Sequence, residues 1–389
     1  MARGLKMRIL YVISISLLLI FFPTPSKATN PVYTHVGKGH LGYGAVRMDD
    51  DIIVFGRLHY YVFNTKVPWE APLIYDLPFE FYVHSIAKAP NGDLLLAGHN
   101  HKRRFDPSSL LGLPDKRQNI LVRAKLEDRK LKIIRSRKLQ DRLSYGLGIN
   151  SEGQPVLLSG GNGIYRLTVF TDTTINKTEQ SLEIHSGDHS SPAFAITPQG
   201  HYAILGFERV TKEKHSSHPT YWEYDSTLSL ITKNTLSTEK KSTGNGLSQT
   251  ALLVYKNNVY AVYGWDKTND RRRQEMTEDI HILKLQGTPI WAKAQTLPYS
   301  TRMPFFLLQK GDPYAIRNLQ RITFSAKDGK TTTEEMTQQT VPQDCFPPGY
   351  QGFRIVDILP NTDGTDYIVV NGNADVPQKY GCVTIGRLK

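Results

Sequence analysis

The stretch HSIAKAPNGDLLLAG, residues 84–98, sets two short apolar runs on either side of Asn91-Gly92. Apolar and polar residues alternate on both flanks, the pattern of paired strands, and the polar-glycine pair between them is a hairpin turn. The same unit recurs. SYGLGINSEGQPVLLSG covers 144–160, SPAFAITPQGHYAILG 191–206, SQTALLVYKNNVYAVYG 248–264, RMPFFLLQKGDPYAIR 302–317 and FRIVDILPNTDGTDYIVVNG 353–372, and a weaker copy, YGAVRMDDDIIVFG, opens the series at 43–56. Turn markers fall at Asp50-Asp51, Asn91-Gly92, Glu152-Gly153, Gln199-Gly200, Asn257-Asn258, Lys310-Gly311 and Asp363-Gly364, spaced 41 to 61 residues apart.

Two further strand-like runs follow in the better copies. After the unit at 84–98 come QNILVRAKL (118–126) and KLKIIRSRKL (130–139), and after that at 248–264 come DIHILKL (279–285) and PIWAKAQTL (289–297). Four antiparallel strands repeated seven times predict an all-β chain, a seven-bladed β-propeller. A pair of β-sandwiches does not repeat one unit at this period. The last copy ends after its third strand, GCVTIGRLK, while PVYTHVG (31–37) precedes the first copy as a spare strand. Val32 to Val36 is therefore expected to complete the final blade and leave no open edge.

Residues 1–28, MARGLKMRILYVISISLLLIFFPTPSKA, have a cationic start (Arg3, Lys6, Arg8) and 14 uncharged residues from Ile9 to Phe22, closed by Ser26-Lys27-Ala28. This is the pattern of a secretory signal, and 14 residues fall short of the ~20 that span a bilayer. The expected organisation is a signal peptide at 1–28 and one propeller domain at 29–389, soluble and secreted or periplasmic. Of the +12 net charge, four cations and no acids lie in this leader, so residues 29–389 carry +8. A basic surface suits an anionic partner; no nucleic-acid-binding motif is present. Cys345 and Cys382 are the two cysteines, and in an oxidising compartment they are expected to pair.

In a four-stranded blade the first hairpin turn lies on one rim. The loops between blades, and those joining second to third strands, share the other. The second set is long and charged: HNHKRRFDPSSLLGLPDKRQ (99–118), ERVTKEKHSSHP (208–219) and DKTNDRRRQEMTED (266–279). Binding concentrates on such loops. Counting back eight or nine residues from each turn puts Tyr43, His84, Tyr145, Gln249 and Arg302 at the entries to the innermost strands, with Arg354 at the seventh and His189 slightly further out. Polar side chains from separate blades then converge on one axial opening. The alternative is that entry positions are simply solvated. Arg103-Arg104 and Arg271-Arg272-Arg273 are candidates to grip sulfate, carboxylate or phosphate, against the reading of a solvated face. His99 with His101, His215 with His218, or Asp188 with His189 could chelate a metal, but spacing fixes no third ligand. They read as solvated basic loops, and neither a metal nor another cofactor is expected. Asn176-Lys177-Thr178 is a glycosylation sequon.

NGDLLLAG, DIHILKLQGTPIWAK and GQPVLLSG resemble the units of bacterial secreted propellers with short "G-x-x-L/V-x-x-G" and "L-x-G-x-x-x-W" repeats. The resemblance implies the fold and leaves activity open. SAKDGKTT (325–332) resembles an Asp-box hairpin, with Lys327 and Thr332 where its Asp and Trp would stand. GDHSSPAFAITPQGHYAIL (187–205) is similar to a segment of ulvan-lyase-type propellers whose matching histidine lies in the active site. The resemblance implies a polysaccharide lyase on uronate polymers. Such a reaction needs a cation for the carboxylate, a base for the C5 proton and an acid for the leaving oxygen, roles open to Arg302 or Arg354, to His189, and to Tyr145 or Tyr43. Arg209 stands where that family has a second histidine, and it joins the expected ligand-binding set of Tyr43, His84, Arg103, Arg104, Gln249 and Arg354. Three functions are thus expected from one fold: binding of an anionic, glycan-like ligand on the basic loop-rich face, a lyase at that face, or an envelope protein-interaction scaffold.

Overall fold

A computed structural model describes residues 34–36, 41–67, 70–100, 118–161, 163–186, 192–209, 216–237, 241–242, 250–255, 258–266, 277–286, 288–298, 306–310, 312–317, 320–335, 353–359, 366–372 and 382–388. Regular structure in these residues is β throughout. Blade 1 comprises β2 (Gly44–Met48), β3 (Asp51–Phe55), β4 (His59–Asn64) and β5 (Leu73–Asp76). Blade 2 is built from β6 (Phe81–Lys88), β7 (Leu94–Asn100), β8 (Gln118–Glu127) and β9 (Lys130–Lys138); blade 3 from β10 (Leu143–Ile149), β11 (Pro155–Gly161), β12 (Ile164–Phe170) and β13 (Thr178–His185). Blade 4 holds β14 (Ala193–Ile196), β15 (Tyr202–Arg209), β16 (Ser216–Tyr224) and β17 (Leu230–Thr235), and the two-residue β18 (Lys241–Ser242) also pairs with β16. Blade 5 contains β19 (Thr250–Tyr255), β20 (Asn258–Asp266), β21 (Thr277–Gln286) and β22 (Thr288–Pro298); blade 6, β23 (Phe306–Lys310), β24 (Asp312–Arg317), β25 (Gln320–Phe324) and β26 (Thr331–Glu335). Blade 7 joins β27 (Phe353–Leu359), β28 (Asp366–Gly372) and β29 (Cys382–Leu388) to β1 (Thr34–Val36) from the other end of the chain. Thr34 lies opposite Ile385 and Val36 opposite Val383. The fold is a seven-bladed β-propeller of four-stranded antiparallel blades, closed by an N-terminal strand.

Side-chain alternation explains why the blades form a ring. In β3, Ile53 and Phe55 pack with Leu94, Leu96 and Val122 of blade 2, while Ile52 and Val54 pack with Val369 and Val383 of blade 7. A strand of period 2 thus has two apolar faces, one for each neighbouring blade. The remaining clusters join blades 2 and 3, 3 and 4, 4 and 5, 5 and 6, and 6 and 7. The core is therefore seven separate interfaces. Each fully buried Leu, Ile or Phe in them contributes about 1.5–3 kcal/mol.

The first hairpin turns correct the sequence reading in detail. In blades 2, 3 and 4 the amides of Gly92, Gly153 and Gly200 donate to the carbonyls of Ala89, Asn150 and Thr197, and the amides of those three residues donate to the carbonyls of Asp93, Gln154 and His201. These are three-residue loops, a type I turn followed by a glycine at positive φ, 84°, 78° and 81°. In blade 1 the turn is Asp49-Asp50, with Asp49 at φ 54°, and Asp51 already belongs to β3. Asn258 likewise opens β20. No helix among the described residues is long and apolar enough to cross a membrane.

Candidate functional site

Tyr43, Arg57, Glu80, Tyr82, His84 and His99 meet where blades 1 and 2 adjoin. By position they all belong to the rim of the long loops. Tyr43 precedes β2, Arg57 lies between β3 and β4, and Glu80 precedes β6; Tyr82 and His84 lie in the first half of β6 and His99 near the end of β7.

Local backbone explains the arrangement. β6 pairs Val83 with Gly98 and then Ser85 with Ala97, so His84 is the bulged residue with no residue opposite. Bulges re-aim a side chain, and His84 is exposed. Only glycine fits at 98, because a Cβ there would stand 2.0 Å from the Tyr82 carbonyl oxygen. The close approach sets Tyr82 directly across from His99. Their rings stack at 4.7 Å with an interplanar angle of 9°. His84 Nε2 is 2.7 Å from His99 Nδ1, and Tyr43 packs edge-on against Tyr82 at 4.8 Å.

An ion pair sits at the edge of this platform. Glu80, 6% exposed, accepts from Arg57 Nε and, at 3.1 Å, from the Tyr82 hydroxyl. The hydrogen bond to Glu80 raises the Arg57 pKa. The Arg57 guanidinium lies 5.8 Å from the Tyr82 ring centre. Burial pushes the Tyr82 phenol up to about 12, so it stays a donor at neutral pH. Between His84 and His99 one imidazole donates and the other accepts, which permits a single proton on that contact.

Asn119 of β8 lies opposite His99. It is 2% exposed, its Oδ1 accepts from Ser144 Oγ of blade 3 at 2.8 Å, and its Nδ2 has no hydrogen-bond partner. An unsatisfied buried donor costs roughly 1–3 kcal/mol. The site therefore offers the stacked Tyr82–His99 pair and the exposed His84 imidazole, with the Asn119 amide closed off from solvent beneath them. Such a surface is suited to ring-shaped ligands bearing acceptor oxygens.

Of the residues expected at strand entries, Tyr43 and His84 come together, linked through Tyr82. The register differs from the count: His84 and Tyr145 lie inside β6 and β10, at bulges, because both strands begin earlier, at Phe81 and Leu143. Tyr145 packs edge-on against Tyr165 at 5.8 Å, as part of the core between blades 3 and 4. Burial raises its pKa well beyond the ordinary tyrosine value. Arg209 ends β15 opposite Ser217 and is exposed. Arg354 lies in β27 opposite Asn371. Cys382 opens β29, 2% exposed, with its Sγ 3.9 Å from Thr384 Oγ1. His189, Arg302, Gln249, Arg103, Arg104 and Cys345 lie outside the described residues, as do Asp188, His101, His215 and Arg271-Arg272-Arg273. Of the histidine pairs, His99 is engaged with His84, and His218 lies opposite Glu208 in the β15–β16 ladder. Among the described residues no group of three His, Cys, Asp or Glu side chains is placed to hold a metal.

Arg57, Glu80, Tyr82 and Asn119 were not anticipated. Glu80, a carboxylate inside the apolar run FEFYVHS (79–85), was the one available signal.

No protein-family model matches the chain, and no curated protein does. Among solved structures it is similar to the WD40 β-propeller domain of Doa1, at 11% identity and a TM-score of 0.54, over 92% of this chain and 97% of that one. The β-propeller domain of Cps50 (Swd1) from Myceliophteria thermophila is 11% identical with a TM-score of 0.49, over 92% and 100% of the two chains. Drosophila Plexin A, solved in complex with Semaphorin 1b, is 9% identical with a TM-score of 0.49, over 92% and 87%. The likeness to the Doa1 domain supports the fold and carries no activity across.

Proposed function

We propose that this propeller is a binding protein that takes an anionic, glycan-like ligand on its long-loop rim, centred on Tyr82, His84 and His99. A propeller scaffold is consistent with binding as such; the ligand class is our reading. One observation carries it: a stacked Tyr82–His99 pair with an exposed His84 at its edge. Anionic character is supported by the chain leaving β7 at Asn100 for a stretch that contains Arg103 and Arg104.

Titration calorimetry with uronate and sulfated oligosaccharides tests the proposal. Tyr82→Ala and His99→Ala are expected to weaken binding at least tenfold, and unchanged affinity in both would overturn it. The same mixtures, followed for the ultraviolet absorbance of an unsaturated product, test the lyase alternative, whose base would be His189 with Arg302 and Tyr145 in support. Product formation abolished by His189→Ala would replace the binding reading with a catalytic one. Capture of an envelope protein through this rim, with no affinity for any glycan, would favour the scaffold.

The same proposal holds residues 1–28 to be an export signal and 29–389 the exported propeller, with Cys345 paired to Cys382. Support for the pairing is the burial of Cys382 and the lack of a free cysteine among the described residues. N-terminal sequencing of the exported protein should begin at Thr29.

A further inference from the structure

We infer a second anion-binding surface, separate from the rim, on the outer half of blade 2. Strand register defines it. Arg123, Lys125 and Glu127 of β8 lie opposite Arg135, Lys132 and Lys130 of β9. Alternation puts all six side chains on one face of the blade, the face on which Leu121 packs against Leu157 and Phe170 of blade 3. The opposite face of the same strands is apolar there, with Leu126, Leu131 and Ile133 packed on the core shared with blade 1.

Two of the three cross-strand pairs, Arg123 with Arg135 and Lys125 with Lys132, oppose like charges. Such pairs are destabilising in a sheet, and compensation within the protein is partial. Arg123 bridges to Asp93 at 2.6 Å, while Glu127 lies 3.5 Å from Lys125 and 3.8 Å from Lys132. Five cations against two carboxylates leave a local charge of +3. Lys125, Lys130, Lys132 and Arg135 are all exposed. Arg137, next on this face, is by contrast committed: it donates to the Ile175 and Asn176 carbonyls and to Thr178 Oγ1.

The geometry selects the partner. Opposed residues on one sheet face stand about 5 Å apart and successive ones about 7 Å, so the cations lie in rows across the two strands, with a bulge at Ile134 setting Arg135 further from Lys132 than Arg123 is from Lys125. A linear polyanion with repeating sulfate groups fits them, since guanidinium forks and ammonium groups bind oxyanions without needing a shaped pocket. The rows hold no aromatic ring, which disfavours single-stranded nucleic acid, whose binding relies on base stacking. The site is independent of the rim proposal.

The test uses the whole protein with dextran sulfate as probe, and neutral dextran and poly-glutamate as comparisons. Lys132→Glu with Arg135→Glu should weaken dextran sulfate binding at least tenfold and flatten its dependence on salt concentration. Neutral dextran should not bind. Loss of dextran sulfate binding in the rim variant His84→Ala, with no loss in the blade 2 variants, would put the polyanion on the rim, which overturns this surface and leaves the rim proposal standing. A milder pair, Lys132→Gln with Arg135→Gln, relieves both like-charge pairs, and is expected to melt no lower than the parent and to lose binding in the same direction. Unchanged affinity in both folded variants overturns the inference. So does poly-glutamate binding as tightly as dextran sulfate with the same losses, because the partner would then be an acidic protein.

Discussion

The side chain of Asn371 and the backbone of Gly42 exchange two hydrogen bonds. Gly42 N donates to Oδ1 and Nδ2 donates to the Gly42 carbonyl, both at 2.8 Å, across 329 positions of sequence. Both residues are buried. The amide of one residue in β28 thus acts as a short length of extra strand for the segment that enters blade 1. Gly42 is needed on its own account, because a Cβ there would meet Val54 Cγ1 at 2.7 Å.

Asn371→Ala should therefore destabilise the ring out of proportion to its size. It leaves a buried N–H and a buried C=O unpaired, a cost of roughly 2–4 kcal/mol. Urea unfolding should show a lower midpoint with an unchanged slope.

The half-buried Asp357 of β27 predicts a pH dependence. Its carboxyl accepts from Ile358 N at 2.9 Å and from Ala45 N of blade 1 at 3.4 Å. Burial outweighs these bonds and pushes its pKa up to about 7. The folded state then holds this proton where the unfolded chain has lost it, so stability should fall as pH rises from about 4 to about 7 and level off above. Every tenfold by which folding tightens the hold on the proton is worth about 1.4 kcal/mol. Asp357→Asn should flatten that part of the profile and stabilise the protein at pH 7 and above. A thermal melt series across pH 4 to 8 reads both effects.

Gly98→Ala tests whether the aromatic platform depends on the close approach of β6 and β7. The new methyl would collide with the Tyr82 carbonyl, and relief requires the two strands to part. Ligand binding on the rim should drop at least tenfold, with a stability loss of about 1–3 kcal/mol. Gly92→Ala gives the contrast. It meets no atom within 4 Å, and its φ of 84° makes it a backbone change alone, so it should cost stability while sparing affinity.

The proposed Cys345–Cys382 bond closes a loop of 37 residues. Intact mass under non-reducing conditions should be about 2 Da below the sum for free thiols. Its reduction should cost roughly 3–4 kcal/mol, read as a lower melting temperature.

The ring was legible because each blade repeats the same punctuation. PNG, SEG and PQG set the hairpin loops in blades 2 to 4, and apolar residues on both faces of strands such as β3 and β7 announce a blade packed on two sides. The closing strand was legible too, from a third strand without a fourth at one end and a spare strand at the other. What escaped was fine register. A bulge adds a residue to one strand and leaves no mark on composition, which is why His84 and Tyr145 fall inside strands and not at their entries. The site escaped for a related reason. Arg57 and Glu80 are 23 positions apart and in different blades, Tyr82 reads as one more apolar strand residue, and nothing local couples any of them to His99. Only the angle between two blades brings them together.

The pairing of Thr34–Val36 with Cys382–Leu388 also imposes an order in time. Blades 1 to 6 are each made of consecutive strands, and their hairpins can form as the chain emerges. Blade 7 joins segments about 350 residues apart, a contact that slows folding because so long a loop must close first. Until it does, the apolar faces of blades 1 and 6 that belong against blade 7 remain open to other chains. Aggregation on refolding is therefore expected to originate at those two faces, and tethering the two ends of the chain by a short linker should suppress it.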